Sequence, residues 1–300
     1  MQVLERQRTM ILLEDGVKHG EIYRGILELL ARFGYMSIRE LMYGWRLEVI
    51  TAADRLKYLR RTGLITRFPS LTVPTSFYCL TPKGRIAVQQ FGISDELSFF
   101  TPGRYQLVYQ EHHRSIIRVF LALRRVFGSR FLGWASERTL RAEEGARQEM
   151  SGGQKRVLDG EFFADIEKAR FKVGVDGGLE PSGEAVREHW RCGLEVEISL
   201  KSPERYRKQF KELAHRVYDS LSGNQHYAMV IFFYNTRTLH DRLARHFKSG
   251  HYNFGSCIFY LAQIEEFLAD PENAVVEKFV GTESKTIVSS QMTQVRVVTK

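Results

Sequence analysis

The sequence predicts a protein of the α/β (α+β) class that is built from two parts. Helical periodicity followed by two β-rich segments occupies the first part, whereas the second alternates strand-like and helix-like segments, which indicates a mixed sheet. With 43% hydrophobic side chains in 300 residues, the chain can form two separate cores. We expect one domain over residues 1–100, a second over 101–282, and a mobile tail over 283–300.

The first part predicts three helices and a hairpin. Apolar residues recur at helical spacing over residues 21–33, and Ser37 is the expected N-cap of a second helix. A third helix is expected over ITAADRLKYLRRTG, starting near Thr51 and stopping at Gly63, with its inward face formed by Ala53, Leu56 and Leu59. The β-rich pieces on either side of a loop with two prolines then predict a two-stranded hairpin.

The third helix and the hairpin carry a resemblance to a known fold. The run RLKYLRRTGLITR, followed by FYCLTPKGR, resembles the recognition helix and wing of bacterial winged helix-turn-helix domains. In such domains the third helix usually enters the major groove of DNA. The resemblance implies that four cations of this helix meet DNA: Arg55, Lys57, Arg60 and Arg61. Two alternatives stay open, namely a solvated helix face and a module that docks a protein.

The second part predicts an α/β domain with a mixed sheet. A long helix over QLVYQEHHRSIIRVFLALRRVFG precedes the strand-like segments FLGWASER, RVLDGEFFADIE and WRCGLEVEIS. Ser202 and Pro203 stand where N-cap and first-turn chemistry place the start of the next helix. Two apolar strands, YAMVIFFY and SCIFYLA, follow and are separated by a further helix.

Bulk composition favours an anionic partner. The net charge is +9 and the isoelectric point is about 9.4, which favours nucleic acid. The cysteines Cys79, Cys192 and Cys257 are far apart, which suits reduced thiols in a cytoplasm and offers no zinc spacing. The N-terminus lacks a signal peptide and the apolar runs are too short for a membrane span, so we expect a cytoplasmic protein without a membrane partner.

A carboxylate pair in the strand LEVEIS is the strongest chemical signal. Successive strand side chains point to opposite faces, so Glu195 and Glu197 share one face. If that face is exposed to solvent, the two carboxylates need no special chemical role. If it lines a cleft, two like charges this close require a cation or a shared proton between them.

The order of elements around this pair resembles the core of PD-(D/E)xK nucleases. Such cores bring a strand-end aspartate and an acidic pair together on a divalent metal. The resemblance implies that Asp159, Glu195 and Glu197 hold Mg²⁺ or Mn²⁺. Glu197 replaces the lysine with which that motif usually ends. Asp165 is the substitute for Asp159 if the turn is only structural.

From about Ile22 to Leu261 the chain is similar to plasmid mobilisation relaxases of the MobC type and to replication-relaxation proteins. The counterparts of their motifs are His113, Trp134, Glu137, Asp159, Gly160, Glu195, Glu197 and Lys201. Leu158 stands where the turn motif has its first proline. The resemblance implies metal-dependent nicking of double-stranded DNA at a plasmid transfer or replication origin. Lys201 would offset phosphate charge, and Glu137 would support a water or a second metal.

Other interpretations of the same residues remain open. Arg205 and Lys208, on the helix after the acidic strand, either grip phosphates or form a solvated face. Tyr206 is a candidate nucleophile, but its place in an apolar stripe favours the helix core. The alternative function is a non-catalytic winged-helix regulator of plasmid replication or transcription. In that case the nuclease-like domain is degenerate and serves to form a homodimer or to clamp DNA.

Overall fold

The computed structural model describes residues 17–69, 76–91, 110–137, 139–141, 158–173, 179–181, 186–219 and 224–299. The chain divides into two compact units, Met1–Arg118 and Val119–Lys300. The division falls inside one helix, Gln110–Phe127, while the boundary predicted near residue 100 lies outside the described residues.

The N-terminal unit contains helices packed against a small antiparallel sheet. Its elements are α1 (Val17–Phe33), β1 (Tyr35–Ser37), α2 (Ile38–Trp45), α3 (Val49–Arg61), β2 (Ile65–Pro69), β3 (Ser76–Leu80), α4 (Pro82–Gln90) and the first half of α5 (Gln110–Phe127). The strand order is β1-β3-β2. A helix, a short strand, two further helices and a hairpin in this order form a winged-helix-like fold, and the prediction for this region is confirmed.

Local chemistry sets the start of α2. The Ser37 side chain accepts a hydrogen bond from the backbone N–H of Arg39, and the Glu40 carboxylate accepts one from the Ser37 N–H at 2.9 Å. The carboxylate of Glu40 is completely buried and forms ion pairs with Arg114 (3.1 Å) and Arg118 (3.3 Å). This reciprocal cap therefore also anchors the start of α5 within the N-terminal unit.

The helix α3 differs from its prediction in two details. It begins at Val49, two residues before Thr51, and its buried residues are Ala52, Leu56 and Leu59. Ala53, expected to face inward, is exposed. Successive spacings of four and three residues hold an apolar stripe on one side of a helix, whereas repeated spacings of three rotate away from it.

The C-terminal unit is built on a large mixed sheet. Its elements are the second half of α5, β4 (Phe131–Ser136), β5 (Gly160–Val173), β6 (Leu179–Pro181), β7 (Val186–Glu197), α6 (Pro203–Val217), β8 (Tyr218–Asp219), β9 (Asn224–Gln225), β10 (Met229–Tyr234), α7 (Arg237–Lys248), β11 (Ile258–Gln263), α8 (Ile264–Ala269), β12 (Val275–Val280), β13 (Glu283–Val288) and β14 (Gln294–Thr299). The main strand order is β13-β12-β11-β10-β7-β5-β14, and β4 and β6 also pair with β5. The predicted mixed sheet is confirmed.

The strand β7 has one antiparallel and one parallel neighbour. It pairs antiparallel with β5 and parallel with β10, which in turn is parallel to β11. The helices α6 and α7 pack on one face of these strands, where Phe210, Phe232 and Phe247 belong to one buried cluster. Ser202 caps α6 by accepting a hydrogen bond from the Arg205 N–H, and Pro203 occupies the first turn, as predicted. The acidic strand is thus covered by a helix whose start the sequence encodes.

Residues 283–299, for which the sequence predicts a mobile tail, contain two strands that pair with the large sheet. Glu283–Val288 pairs antiparallel with β12, and Gln294–Thr299 pairs parallel with β5. Most side chains of β13 are exposed, so hydrophobicity does not mark this segment as a strand. Its order comes instead from backbone hydrogen bonds to a neighbour that is already in the sheet. Among the described helices, none has the length and apolar character needed to cross a membrane.

Candidate functional site

The exposed side of α3 carries three of the four predicted DNA-binding cations. Lys57, Arg60 and Arg61 are exposed, opposite the buried Ala52 and Leu56. At 3.6 residues per turn, the exposed positions of α3 fall within about 140° of the helix circumference. Within the described part of the chain these three cations form no ion pair. They therefore present one positively charged face to solvent.

Arg55 lies apart from this face. It is half-buried, its guanidinium donates a hydrogen bond to the Tyr23 hydroxyl at 2.9 Å, and it lies over the Tyr23 ring at 5.2 Å. These contacts attach α3 to α1. The structure thus groups Lys57, Arg60 and Arg61 as candidates for DNA contact and gives Arg55 a role in packing.

Sequence reasoning missed two further members of the exposed face. Val49 is 57% exposed and Ile50 is 73% exposed, at the start of α3. The predicted helix, ITAADRLKYLRRTG with its start near Thr51, left Val49 outside and Ile50 at its margin. A search for the N-cap one turn earlier, at Glu48, would have placed them on the same side as Lys57.

A second candidate site lies where β5 begins and β7 ends. Gly160 pairs with Leu194, so the preceding Asp159 lies beside the segment of β7 that continues with Glu195. The Asp159 carboxylate accepts a hydrogen bond from the backbone N–H of Val196 at 2.7 Å. The structure therefore brings Asp159 next to the Glu195 and Glu197 segment, although 36 residues separate Asp159 from Glu195 in the sequence.

The acidic pair does not face solvent. Glu195 and Glu197 are each 2% exposed, on the face of the sheet that α6 covers, which rules out the interpretation of a wet edge strand. Glu197 forms an ion pair with Lys201 and accepts a hydrogen bond from the Gln209 side chain at 3.1 Å. The Lys201 ammonium also donates to the Gln209 carbonyl at 3.1 Å. Glu197 and Lys201 thus neutralise each other inside the unit.

Tyr206 completes the surroundings of Glu197. Its hydroxyl lies 3.5 Å from the Glu197 carboxylate, and its side chain is fully buried, as the apolar stripe of α6 predicts. Burial, together with the negative charge of Glu197, raises the pKa of Tyr206 to about 12. The phenol is therefore protonated near neutral pH, which is unfavourable for a nucleophile.

Glu161 is a third buried acid that the sequence analysis overlooked. It is 2% exposed, forms an ion pair with Arg191 at 2.6 Å, and accepts a hydrogen bond from the Tyr227 hydroxyl. It pairs with Gly193, so it lies on the same face as Glu195. The Asp-x-Glu spacing of Asp159 and Glu161 could have identified Glu161 from the sequence, because residues two apart in a strand point to the same face.

The remaining predicted residues have structural contacts. The Glu137 carboxylate accepts a hydrogen bond from Arg141 at 2.8 Å, and its backbone N–H donates to the Asp159 carbonyl at 3.2 Å. His113 belongs to the N-terminal unit, where its ring stacks on Tyr35 at 4.2 Å. Arg205 is exposed on α6.

Lys208 is also exposed on α6 and lies 3.8 Å from the Glu212 carboxylate. The exposure of both α6 cations permits the predicted phosphate contacts but equally fits a solvated helix face. The contacts of Glu137 and His113 are those of residues that hold neighbouring elements in place.

The described residues do not fit a three-ligand metal site. Among residues 17–69, 76–91 and the other described ranges, no group of three His, Cys, Asp or Glu side chains is arranged to hold a metal ion. Glu197, which the nuclease motif would use as a ligand, is bound instead by Lys201. The three cysteines are all buried.

Comparison with known proteins gives only distant structural similarity. No known family model and no curated protein matches the chain. A structure of Lactococcus lactis ZitR is 21% identical over 38% of this chain and 79% of that chain, with a TM-score of 0.24. A mutant MarR from E. coli complexed with operator DNA is 11% identical over 49% of this chain and 89% of that chain, with a TM-score of 0.22.

Bacillus subtilis PadR in complex with operator DNA is a further match. It is 16% identical over 45% of this chain and 80% of that chain, with a TM-score of 0.21. Scores of this size carry no inference about function. The winged-helix-like class therefore rests on the order and pairing of α1 to β3 in the N-terminal unit itself.

Proposed function

We propose that this protein binds double-stranded DNA through its winged-helix-like unit and acts as a non-catalytic regulator. The observation that carries the proposal is the exposed face of α3, on which Lys57, Arg60 and Arg61 stand together. A helix that follows a helix-turn and precedes a hairpin is the element that such folds insert into the major groove. The net charge of +9 supports an anionic partner.

The partner groups in the C-terminal unit support a non-catalytic role for the acidic strand. A cleaving site needs carboxylates that can coordinate a metal and a cation that can meet the phosphate. Here Glu197 and Lys201 neutralise each other, while Arg191 and Tyr227 engage Glu161. The buried acids then act as structural links between β5, β7 and α6. Control of plasmid replication or transcription is the role we propose for the whole chain.

The salt dependence of DNA binding tests this proposal. The full-length protein is titrated with a fluorescent 30-base-pair duplex between 50 and 200 mM salt, in the presence of EDTA. Each phosphate contact contributes a slope of about 0.9 to log K against log salt, so loss of three contacts lowers the slope by roughly 2.7. Over this fourfold salt range the wild type should lose about 40-fold more affinity than the variant Lys57→Ala/Arg60→Ala/Arg61→Ala.

A matched control separates local contact from bulk charge. Lys285→Ala removes an exposed cation of β13 in the C-terminal unit and should leave the slope unchanged. Equal slopes for the wild type and the triple variant would contradict the proposal. A requirement for Mg²⁺ or Mn²⁺ in binding would argue against the non-catalytic role.

Metal-dependent nicking is the second candidate function. It is favoured by the position of Asp159 beside the segment of β7 that carries Glu195 and Glu197. The test is relaxation of supercoiled plasmid in Mn²⁺ by the wild type, by Asp159→Asn and by Glu195→Gln. Nicking by the wild type alone would establish this function, whereas equal products from all three proteins would exclude it.

A further inference from the structure

The first turn of α3 presents apolar side chains to solvent. Ile50, at 73%, is the most exposed of the large hydrophobic residues in the described ranges, and its neighbour Val49 is 57% exposed. Both are β-branched residues, which are modest helix formers, so helix propensity does not account for their presence. Their exposed surface is available to a partner with apolar groups.

This apolar turn belongs to the same face as the cations. By helical geometry Ile50 lies roughly 10 Å along the axis from Lys57 and roughly 16 Å from Arg61. One end of the face is thus apolar and the other end is basic. A partner that covers this face must therefore offer apolar groups and negative charges roughly 10 to 16 Å apart. Duplex DNA fits this spacing, because its major groove is about 12 Å wide.

A neighbouring acid indicates which part of the duplex the first turns would meet. Asp54 is exposed on the same face, one turn after Ile50. A carboxylate is repelled by phosphates, but it can accept a hydrogen bond from the cytosine amino group at a base edge. The first two turns of α3 are therefore suited to base edges, and the last turn, with Arg60 and Arg61, to the phosphate backbone.

Among base edges in the major groove, the apolar group is the 5-methyl of thymine. We propose that Ile50, with Val49 beside it, contacts thymine methyl groups and makes DNA recognition by this protein thymine-dependent. This inference rests on the proposed function, because it requires α3 to enter the major groove. It assigns sequence discrimination to a residue pair that contributes nothing to the basic charge.

Replacement of thymine by deoxyuridine tests the contact directly. Preferred duplexes are first selected by the wild-type protein from a random-sequence pool. Each preferred duplex is then synthesised with thymine or with deoxyuridine, which pairs identically but lacks the methyl group. The wild type should bind the deoxyuridine duplex about fourfold more weakly for each contacted methyl, the change expected for one buried methyl or methylene group.

Two variants locate the effect. Ile50→Ala should bind the thymine and deoxyuridine duplexes equally, because the side chain that contacts the methyl is gone. Ile86→Ala is the matched control, since Ile86 is a 52% exposed isoleucine on α4 of the same unit, and it should keep the wild-type discrimination. Both positions are exposed, so the thermal midpoints of both variants should match the wild type.

The outcomes separate this inference from the proposed function. The inference is overturned if the wild type binds both duplexes with equal affinity, or if the discrimination survives Ile50→Ala. In either case, salt-dependent binding would still support the proposed function. A selection that enriches no sequence also overturns the inference. Absence of salt-dependent binding to any duplex overturns the proposed function itself, and a change of oligomeric state in Ile50→Ala without thymine discrimination would assign the face to a protein partner.

Discussion

The buried carboxylate of Glu40 allows a strong prediction about stability. We expect Glu40→Gln to destabilise the N-terminal unit, because the uncharged amide removes the counter-charge of Arg118 and leaves Arg114 only the exposed carboxylate of Glu111, at 3.2 Å. Arg114 lies 3.1 Å from the carboxylate with only 6% of its side chain exposed, and Arg118 lies at 3.3 Å. Removal of one partner from a buried ion pair typically costs about 3–5 kcal/mol. The substitution also weakens the capping box with Ser37, for which about 1 kcal/mol is typical.

Hydrogen exchange of the full-length protein in increasing urea measures this effect, since it reports the free energy of unfolding for α1 to α3 separately. Glu28→Gln is the matched control in the same unit. Its ion pair with Arg32 is 2.9 Å long but partly exposed, so the cost should stay below about 0.5 kcal/mol. Similar losses in both variants would refute the assignment of Glu40 as a buried anchor.

The same residue makes a prediction about pH. Burial alone would raise the pKa of Glu40, but the hydrogen bond from Ser37 and the charges of Arg114 and Arg118 lower it below its ordinary value of 4.5. A lowered pKa in the folded state contributes stability that is complete above 4.5 and is lost as the pH falls through the folded pKa. The difference between wild type and Glu40→Gln should therefore shrink in acid. A constant difference from pH 7 to pH 3 would contradict this sign.

Three further predictions follow from buried groups in the two units. Gly160→Ala should destabilise the C-terminal unit by about 1–3 kcal/mol in urea unfolding, because a Cβ at this position overlaps the indole of Trp134; an unchanged midpoint would contradict the close approach. Tyr206 should remain mostly protonated at pH 11 by carbon NMR of labelled tyrosine, with Tyr206→Phe identifying its resonance, and titration near pH 10 would show that it is not buried beside Glu197. The three cysteines are buried, and burial raises the pKa of each thiol, so the native protein should react with a disulfide reagent only after denaturation; fast reaction of any thiol would show an open conformation.

Local chemistry was the most predictable part of the molecule. Ser37 and Ser202 cap helices as expected, because a cap depends on residues within three positions of it. The mixed sheet was predictable from strands that alternate with helices. The exposed face of α3 was only partly predictable, since Arg55 is drawn away by Tyr23, which lies 32 residues earlier.

The partners of the buried acids could not be deduced in this way. The Glu161 carboxylate accepts a hydrogen bond from the Tyr227 hydroxyl, although the two residues are 66 positions apart in the sequence. Only the register of β5 against β7 and the packing of neighbouring elements bring them together. The strand β14 gives another example, because its pairing with β5 is set by the sheet edge that β5 offers. Long-range pairing of this kind follows from topology, which a single sequence does not encode in its periodicity.

The parallel pairing of β14 with β5 has a consequence during synthesis. The contacts of the N-terminal unit lie within Met1–Arg118, so that unit can acquire its structure early on the ribosome. The second half of β5, in contrast, pairs with β14, which is translated after every other described strand of its sheet. Until β14 is synthesised, the backbone groups along that edge of β5 lack this partner. A nascent chain paused before Gln294 would thus carry a folded N-terminal unit and a sheet with one open edge. Such an edge can pair with other chains, so chaperones would be most needed in this state.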